Sequence, residues 1–334
     1  MSLKKTLSIK SFLVIGVLLL FAATIISIRF GANNITYTDI INSIFHFDTT
    51  NPTHVVIHEL RIPRAVAALF VGSALAVSGA IMQGVTRNAL ASPSILGVTS
   101  GSSFFVALAF AFYNEPSYSM IAVHALFGAA IGAAFVFGAT VVARGGITPV
   151  KLALAGSAIT ALLSSLSTAI GLKYDISKDI SYFYAGGFAS IQPIHIKLAV
   201  PLIIIGLILA ICLAPSISVL SLGEEVAKGL GQRTMLIRVL SSLAVIILTG
   251  AAVSIAGMIG FVGLVVPHIV RPIVGVDYRR VLPASAVTGG LLLLLADIVG
   301  RTINSPFETP AGAVTALIGV PFFLWLARKD GRGL

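Results

Sequence analysis

Charge is what this 334-residue chain has least of: Asp, Glu, Lys and Arg together make up 10% of it. A soluble globular domain carries roughly a quarter of its residues charged, so a soluble surface is excluded. Cysteine is nearly absent as well. Cys212 stands alone inside an apolar run, which rules out an intramolecular disulfide and a cysteine-based metal site and leaves a packing role. There is no G-x-x-x-x-G-K-[ST] loop, no dinucleotide fingerprint and no H-E-x-x-H pair. The chain is therefore not expected to hydrolyse nucleotide, do metal chemistry or bind a cofactor, and it does not read as an enzyme. The formal net charge of +10 is spread over single basic residues between apolar runs, with no basic cluster interleaved with aromatics, so nucleic acid is not an expected partner.

What fills the chain instead is apolar. Hydrophobic residues make up 57% and the mean hydropathy is +1.03. Apolar runs of membrane-crossing length recur throughout, placing spans near 11–30, 63–84, 94–113, 119–142, 150–171, 197–214, 234–254, 258–275, 282–302 and 310–327. The expected fold class is all-α: a polytopic bundle of about ten transmembrane helices, forming a single permease domain over 1–334. The charged start and the long run from Phe12 to Ile28 read as a first span rather than a cleaved signal. An even number of spans puts both termini on one side. The basic ends "KKTLSIK" and "RKDGR" assign that side to the cytoplasm of a plasma-membrane protein, with 15 Lys and Arg inside and 7 outside.

The seven exceptions include Arg61, Arg64 and Arg301, at the outer ends of spans two and nine. From the residues alone they read as anchors of helix ends at the head groups, or as side chains that snorkel there. Ionisable residues at depth are few. Besides His124, they are Asp297 and Arg301, four apart on one helix face and read as an internal ion pair in preference to a proton relay, and His268, read after Pro267 as a packing histidine. So little mid-membrane carboxylate argues that the energy for any transport comes from elsewhere.

Small residues mark the helix contacts. Span two carries Gly72, Ala76, Gly79 and Gln83 at helical spacing, and span four carries Gly128 and Gly132 as GxxxG. Span eight is interrupted by Gly257, Gly260, Gly263 and Pro267, a break tolerated beside protein or a water-lined path. Between spans six and seven, "SLGEEVAKGLGQR" reads as a short helix. Ser221 as N-cap with Glu224 makes a capping box, Glu224 and Glu225 complement the helix dipole, and Gly231 suits a left-handed C-terminal position. Leu222, Ala227 and Leu230 would then fill a partner's groove.

Six ordered stretches, "RIPR", "SGAIMQGVTRNALASPSILGV", "LGEEVAKGLG", "GMIGFVGLVVPHIVR", "LLLADIVGR" and "ETPAGAVTALIGVPFFLWL", resemble the FecCD family of ABC-transporter permeases from about residue 55 to 329. The resemblance implies a BtuC-like type II ABC importer fold. It implies, as partners, a second permease subunit, two cytoplasmic ATPase subunits and an extracytoplasmic substrate-binding (lipo)protein. It also implies that Arg61, Arg64 and Arg301 meet acidic side chains of that binding protein. Guanidinium groups bind carboxylates bidentately, which suits such docking.

The segment at about 215–233 matches the family's coupling region, so Leu222, Gly223, Glu224, Glu225, Ala227, Leu230 and Gly231, with Gly229, fall on the surface that sits in the ATPase groove. Gly229 stands where a serine is common. Asn88, Ala89 and Leu90 match the cytoplasmic gate, with Ala89 in place of the usual proline, and Thr148 and Pro149 align with a second gate segment. The implied activity is ATP-driven import of a ferric siderophore; cobalamin or haem import within the same family, a secondary transporter and a non-transporting membrane partner are the alternatives.

Overall fold

The computed structural model describes residues 8–31, 35–93, 97–142, 149–305 and 307–330, and among them every regular element is helical. In chain order these are α1 (Ile9–Arg29), α2 (Tyr37–Phe45), α3 (Pro52–Val56), α4 (Ile62–Thr86), α5 (Val98–Phe112), α6 (Tyr118–Val142) and α7 (Pro149–Lys173). They are followed by α8 (Ser177–Ala185), α9 (Pro193–Ser221), α10 (Glu224–Gly229), α11 (Thr234–Ala256), α12 (Val262–Val274), α13 (Tyr278–Thr302) and α14 (Ala311–Asp330). Among the described residues, seven helices are long and apolar enough to cross a membrane; α5, α12 and the apolar part of α14 are shorter. Together they account for the ten expected spans.

The bounds of the second and sixth spans differ most from expectation, for local reasons. A π-helical turn at Ile57–Arg61 joins α3 to α4, so the second span is one helix from Pro52 to Thr86. The start signals lie at Asn51, whose side chain accepts from the Thr53 N–H, and at Pro52 in the first turn, where its missing N–H costs nothing. Arg61 and Arg64 are thus well inside a continuous helix. Likewise α9 begins at Pro193, with Gln192 capping it, and runs through Pro201 and Pro215 to Ser221. The expected 197–214 was too short because apolar content falls at both ends while the helix continues.

Helix α4 is the axis of the bundle, with 83% of its most apolar window buried, against 17% for the peripheral α1. Glycine makes its close contacts possible. A Cβ added at Gly72 would press on the Gly289 carbonyl of α13 and lie 2.8 Å from Leu293 Cβ, and one added at Gly79 would meet the Gly263 backbone of α12. Gly101 of α5 packs in the same manner on Gly128 and Gly132 of α6. Lipid tails provide no hydrophobic drive for helix pairing, so this backbone proximity and its dispersion contacts hold the helices together.

The interruption in span eight is a real break. Gly257 and Phe261 both have left-handed φ, at 65° and 66°, and the chain between α11 and α12 is not helical. Its backbone groups find partners in neighbouring protein. Met258 N–H donates to Phe183 O (3.1 Å), and the Ala256 carbonyl at the end of α11 accepts from the Gly187 N–H (2.9 Å). That is the condition under which irregular backbone is tolerated at membrane depth.

Candidate functional site

The polar chemistry collects at the two ends of the bundle. At one end, Arg64 projects from the first turn of α4 toward α13. Its Nε and one terminal nitrogen donate to the Asp297 carboxylate at 2.9–3.1 Å, and its other terminal nitrogen donates to both oxygens of Glu308 at 2.9 Å. Arg301, one turn beyond Asp297, completes the expected i,i+4 ion pair at 3.2 Å. The same guanidinium also donates to Ser27 O (3.1 Å), Phe30 O (2.8 Å) and Ser27 Oγ (2.8 Å), gathering the C-terminal end of α1 against α13. A cation there also complements the helix dipole. Arg61, from the π-helical turn, donates to the same Phe30 carbonyl at 2.6 Å. Nearby, the Arg29 guanidinium lies over the Tyr37 ring at 4.2 Å.

Burial grades this cluster. Asp297 is 2% exposed, Arg301 4%, Arg64 13% and Glu308 41%. Two carboxylates stand against the three arginines, so the cluster keeps a net positive charge, and its open side is formed by Arg61, Arg64 and Glu308. Arg301, expected to face a partner, is enclosed here and holds α1 to α13. Glu308 and the Arg64–Asp297 pair were missed in the sequence, because 233 residues separate that pair. The available signal was that Glu308 is the single carboxylate between Asp297 and Asp330, on the connection between two apolar runs.

At the opposite end α10 stands apart as a six-residue helix between α9 and α11. The capping box expected at Ser221 is not formed. α9 continues through Ser221, whose hydroxyl donates to Ser218 O, and the N-cap is Gly223 with φ 135°, a conformation closed to most side chains. The expected C-terminus is formed: Gly231 is left-handed, its N–H donates to Lys228 O and Gln232 N–H to Ala227 O, which is a Schellman closure.

Of the residues expected to form this surface, Leu222, Glu225, Gly229, Leu230 and Gly231 are exposed. Ala227 is fully buried against the bundle, a correction that follows from its position on the inner face of so short a helix, and Gly223 is buried too. Val226, which the sequence reading passed over, is exposed on α10, as are Leu222 before it and Leu230 after it. Glu224 turns back to the protein, receiving Lys228 Nζ at 2.9 Å and Arg238 of α11 at 2.6 Å. These hydrogen bonds, from Lys228 first and then Arg238, hold its carboxyl below the ordinary range. Gln232 adds a bond to Ser216 O (2.9 Å), so α10 is tied to both α9 and α11.

Beside α10 lies the turn after α4. Arg87 takes a left-handed conformation that ends the helix, and Asn88 Oδ1 accepts from the Leu90 N–H at 2.9 Å in an Asx turn. An added Cβ at Gly223 would come within 3.8 Å of the Arg87 guanidinium, so this turn and the α10 connection are neighbours. Thr148 lies outside the described residues.

A bundle built from helices of membrane-crossing length, packed through glycine and interrupted at one interior break, is that of a multi-pass membrane protein. The chain matches the FecCD transport family over residues 18–329 and belongs to that family. It is 52% identical over 322 residues to the iron(3+)-hydroxamate import system permease protein FhuB of Bacillus subtilis (strain 168), covering 96% of this chain and 84% of that one. It is 35% identical to the ferric enterobactin transport system permease protein FepD of Escherichia coli (strain K12), covering 95% and 94%. Among solved structures it resembles a metal-chelate type ABC transporter in an inward-facing conformation, with a TM-score of 0.83, 30% identity and 96% and 99% coverage. The fold is the BtuC-like one expected.

Proposed function

We propose that this chain is the permease subunit of an ATP-driven importer for ferric siderophores. The observation that carries the reading is the family match over nearly the whole chain, with a relative at 52% identity that bears the name of an iron(3+)-hydroxamate permease. In this reading residues 1–334 form one permease domain in the plasma membrane with both termini cytoplasmic, and the chain pairs with a second permease, identical or homologous. The end bearing Arg61 and Arg64 faces outward and receives the acidic surface of a substrate-binding protein, while Arg301 keeps α1 and α13 in place behind them. Complementary charge there serves orientation and association rate.

The opposite end faces two cytoplasmic ATPases, which supply the hydrolysis that this chain does not carry out. Leu222, Glu225, Val226 and Leu230 enter the ATPase groove. Glu224 and Ala227 face the permease and transmit the movement to α11 and α9. The neighbouring turn at Asn88 and Leu90, with Thr148, forms the cytoplasmic gate. Alternating access follows if nucleotide-bound and nucleotide-free ATPases bind differently to the two permease states; without that difference nothing would move.

The test is uptake of radioactive iron supplied as hydroxamate, catecholate and citrate complexes, beside labelled haem and cobalamin, in cells with and without the gene. Gene-dependent entry of a ferric complex is expected. Entry of haem or cobalamin alone would overturn the substrate class.

A further inference from the structure

The two edges of the Arg64 guanidinium are held very differently. One edge is locked: Nε and a terminal nitrogen bind Asp297, which is buried and also paired with Arg301. The other edge binds Glu308, whose side chain is 41% exposed. The backbone next to Glu308 is fixed, because Thr309 N–H donates to Gly300 O at 2.8 Å and a Cβ on Gly300 would strike the Thr309 carbonyl. The carboxylate can therefore leave Arg64 by side-chain rotation alone, with no movement of the connection between α13 and α14.

We propose that Glu308 is an internal stand-in for a carboxylate of the binding protein, and that docking is an exchange in which the partner's acid takes the place of Glu308 on Arg64. This rests on the docking reading given above. Asp297 keeps the guanidinium in its bound orientation before the partner arrives, so little ordering is left for the encounter. Glu308 in turn sets a threshold. A surface without a carboxylate at that point gains nothing by displacing it, and the displaced Glu308 repels any acid that is poorly placed, which gives discrimination by a repulsive element.

The magnitude is bounded, since a half-exposed ion pair is worth at most about a factor of five in an equilibrium constant. The experiment uses the intact permease complex in nanodiscs, titrated with the binding protein whose deletion abolishes gene-dependent uptake. E308Q keeps the shape of the side chain and removes its charge, and a thermal melt of the same sample checks that it is folded. The exchange predicts about two- to five-fold tighter docking for E308Q, mostly through a faster association rate, together with weaker docking for R64Q. Weaker or unchanged docking of E308Q with a loss in R64Q would overturn the exchange and leave the docking reading standing. Docking unchanged in both variants would overturn both.

Discussion

Replacing Asp297 with alanine is the sharpest perturbation of the outer cluster. The carboxylate accepts three hydrogen bonds from Arg64 and lies 3.2 Å from Arg301, while only 2% of its surface is exposed. Removing it leaves two guanidinium groups, 13% and 4% exposed, facing each other without the anion between them. Breaking a buried ion pair by removing one partner costs about 3–5 kcal/mol. On the scale of about 2–4 °C per kcal/mol for chains of a few hundred residues, that corresponds to a fall in Tm of roughly 6–20 °C. The assay is thermal unfolding of purified protein in detergent or nanodiscs. R64M is expected to be milder, at about 1.5–3 kcal/mol, because Asp297 retains Arg301 as its partner. A D297A protein melting within about 2 °C of wild type, or an R64M protein less stable than D297A, would refute the assignment of Asp297 as the keystone of this end.

Other outcomes follow from the same geometry. Gly101→Leu should lower stability by at least about 1–3 kcal/mol, read as Tm, because its Cβ would lie 2.8 Å from Gly132 Cα; an unchanged Tm would contradict the α5–α6 packing. Glu224→Arg should abolish ATPase recruitment, and Arg238→Glu added to it should restore recruitment in part, since the two charges would face each other again; equal loss in single and double variants would remove the brace. The carboxyl of Glu224 is held below its ordinary range, so its contribution to α10 is present above the unfolded glutamate value and is lost as pH falls through the depressed one; ATPase association measured against pH should therefore persist through mild acid. Reversing Arg61 and Arg64 to Glu should raise the binding-protein concentration needed for uptake, and wild-type docking should weaken with salt.

The spans were legible because hydropathy and membrane thickness act on each stretch separately, and ten apolar runs became ten long or apolar helices. The close approach of Gly128 and Gly132 and the break at Gly257 were legible for a similar reason: glycine at those spacings has few other uses in a span. What stayed hidden depended on contacts between distant segments. Nothing near Arg64 in sequence points to Asp297 or to Glu308. The enclosure of Arg301 depends on the end of α1 arriving at Ser27 and Phe30. Around α10 the local rule itself misled: Ser221 and Glu224 have the spacing of a capping box, but α9 gains more by continuing to Ser221, and Gly223 makes the turn instead. Once the helix starts at Glu224, Ala227 faces inward and Val226 outward.

The most direct test of the proposed function is reconstitution. This permease, its second subunit and the ATPases would be placed in proteoliposomes, with the binding protein and a radioactive ferric hydroxamate outside and ATP sealed within. Iron should accumulate only when ATP and the binding protein are both present, and a proton ionophore should leave the rate unchanged. Accumulation that proceeds without ATP and collapses with the proton gradient would contradict an ATP-driven importer.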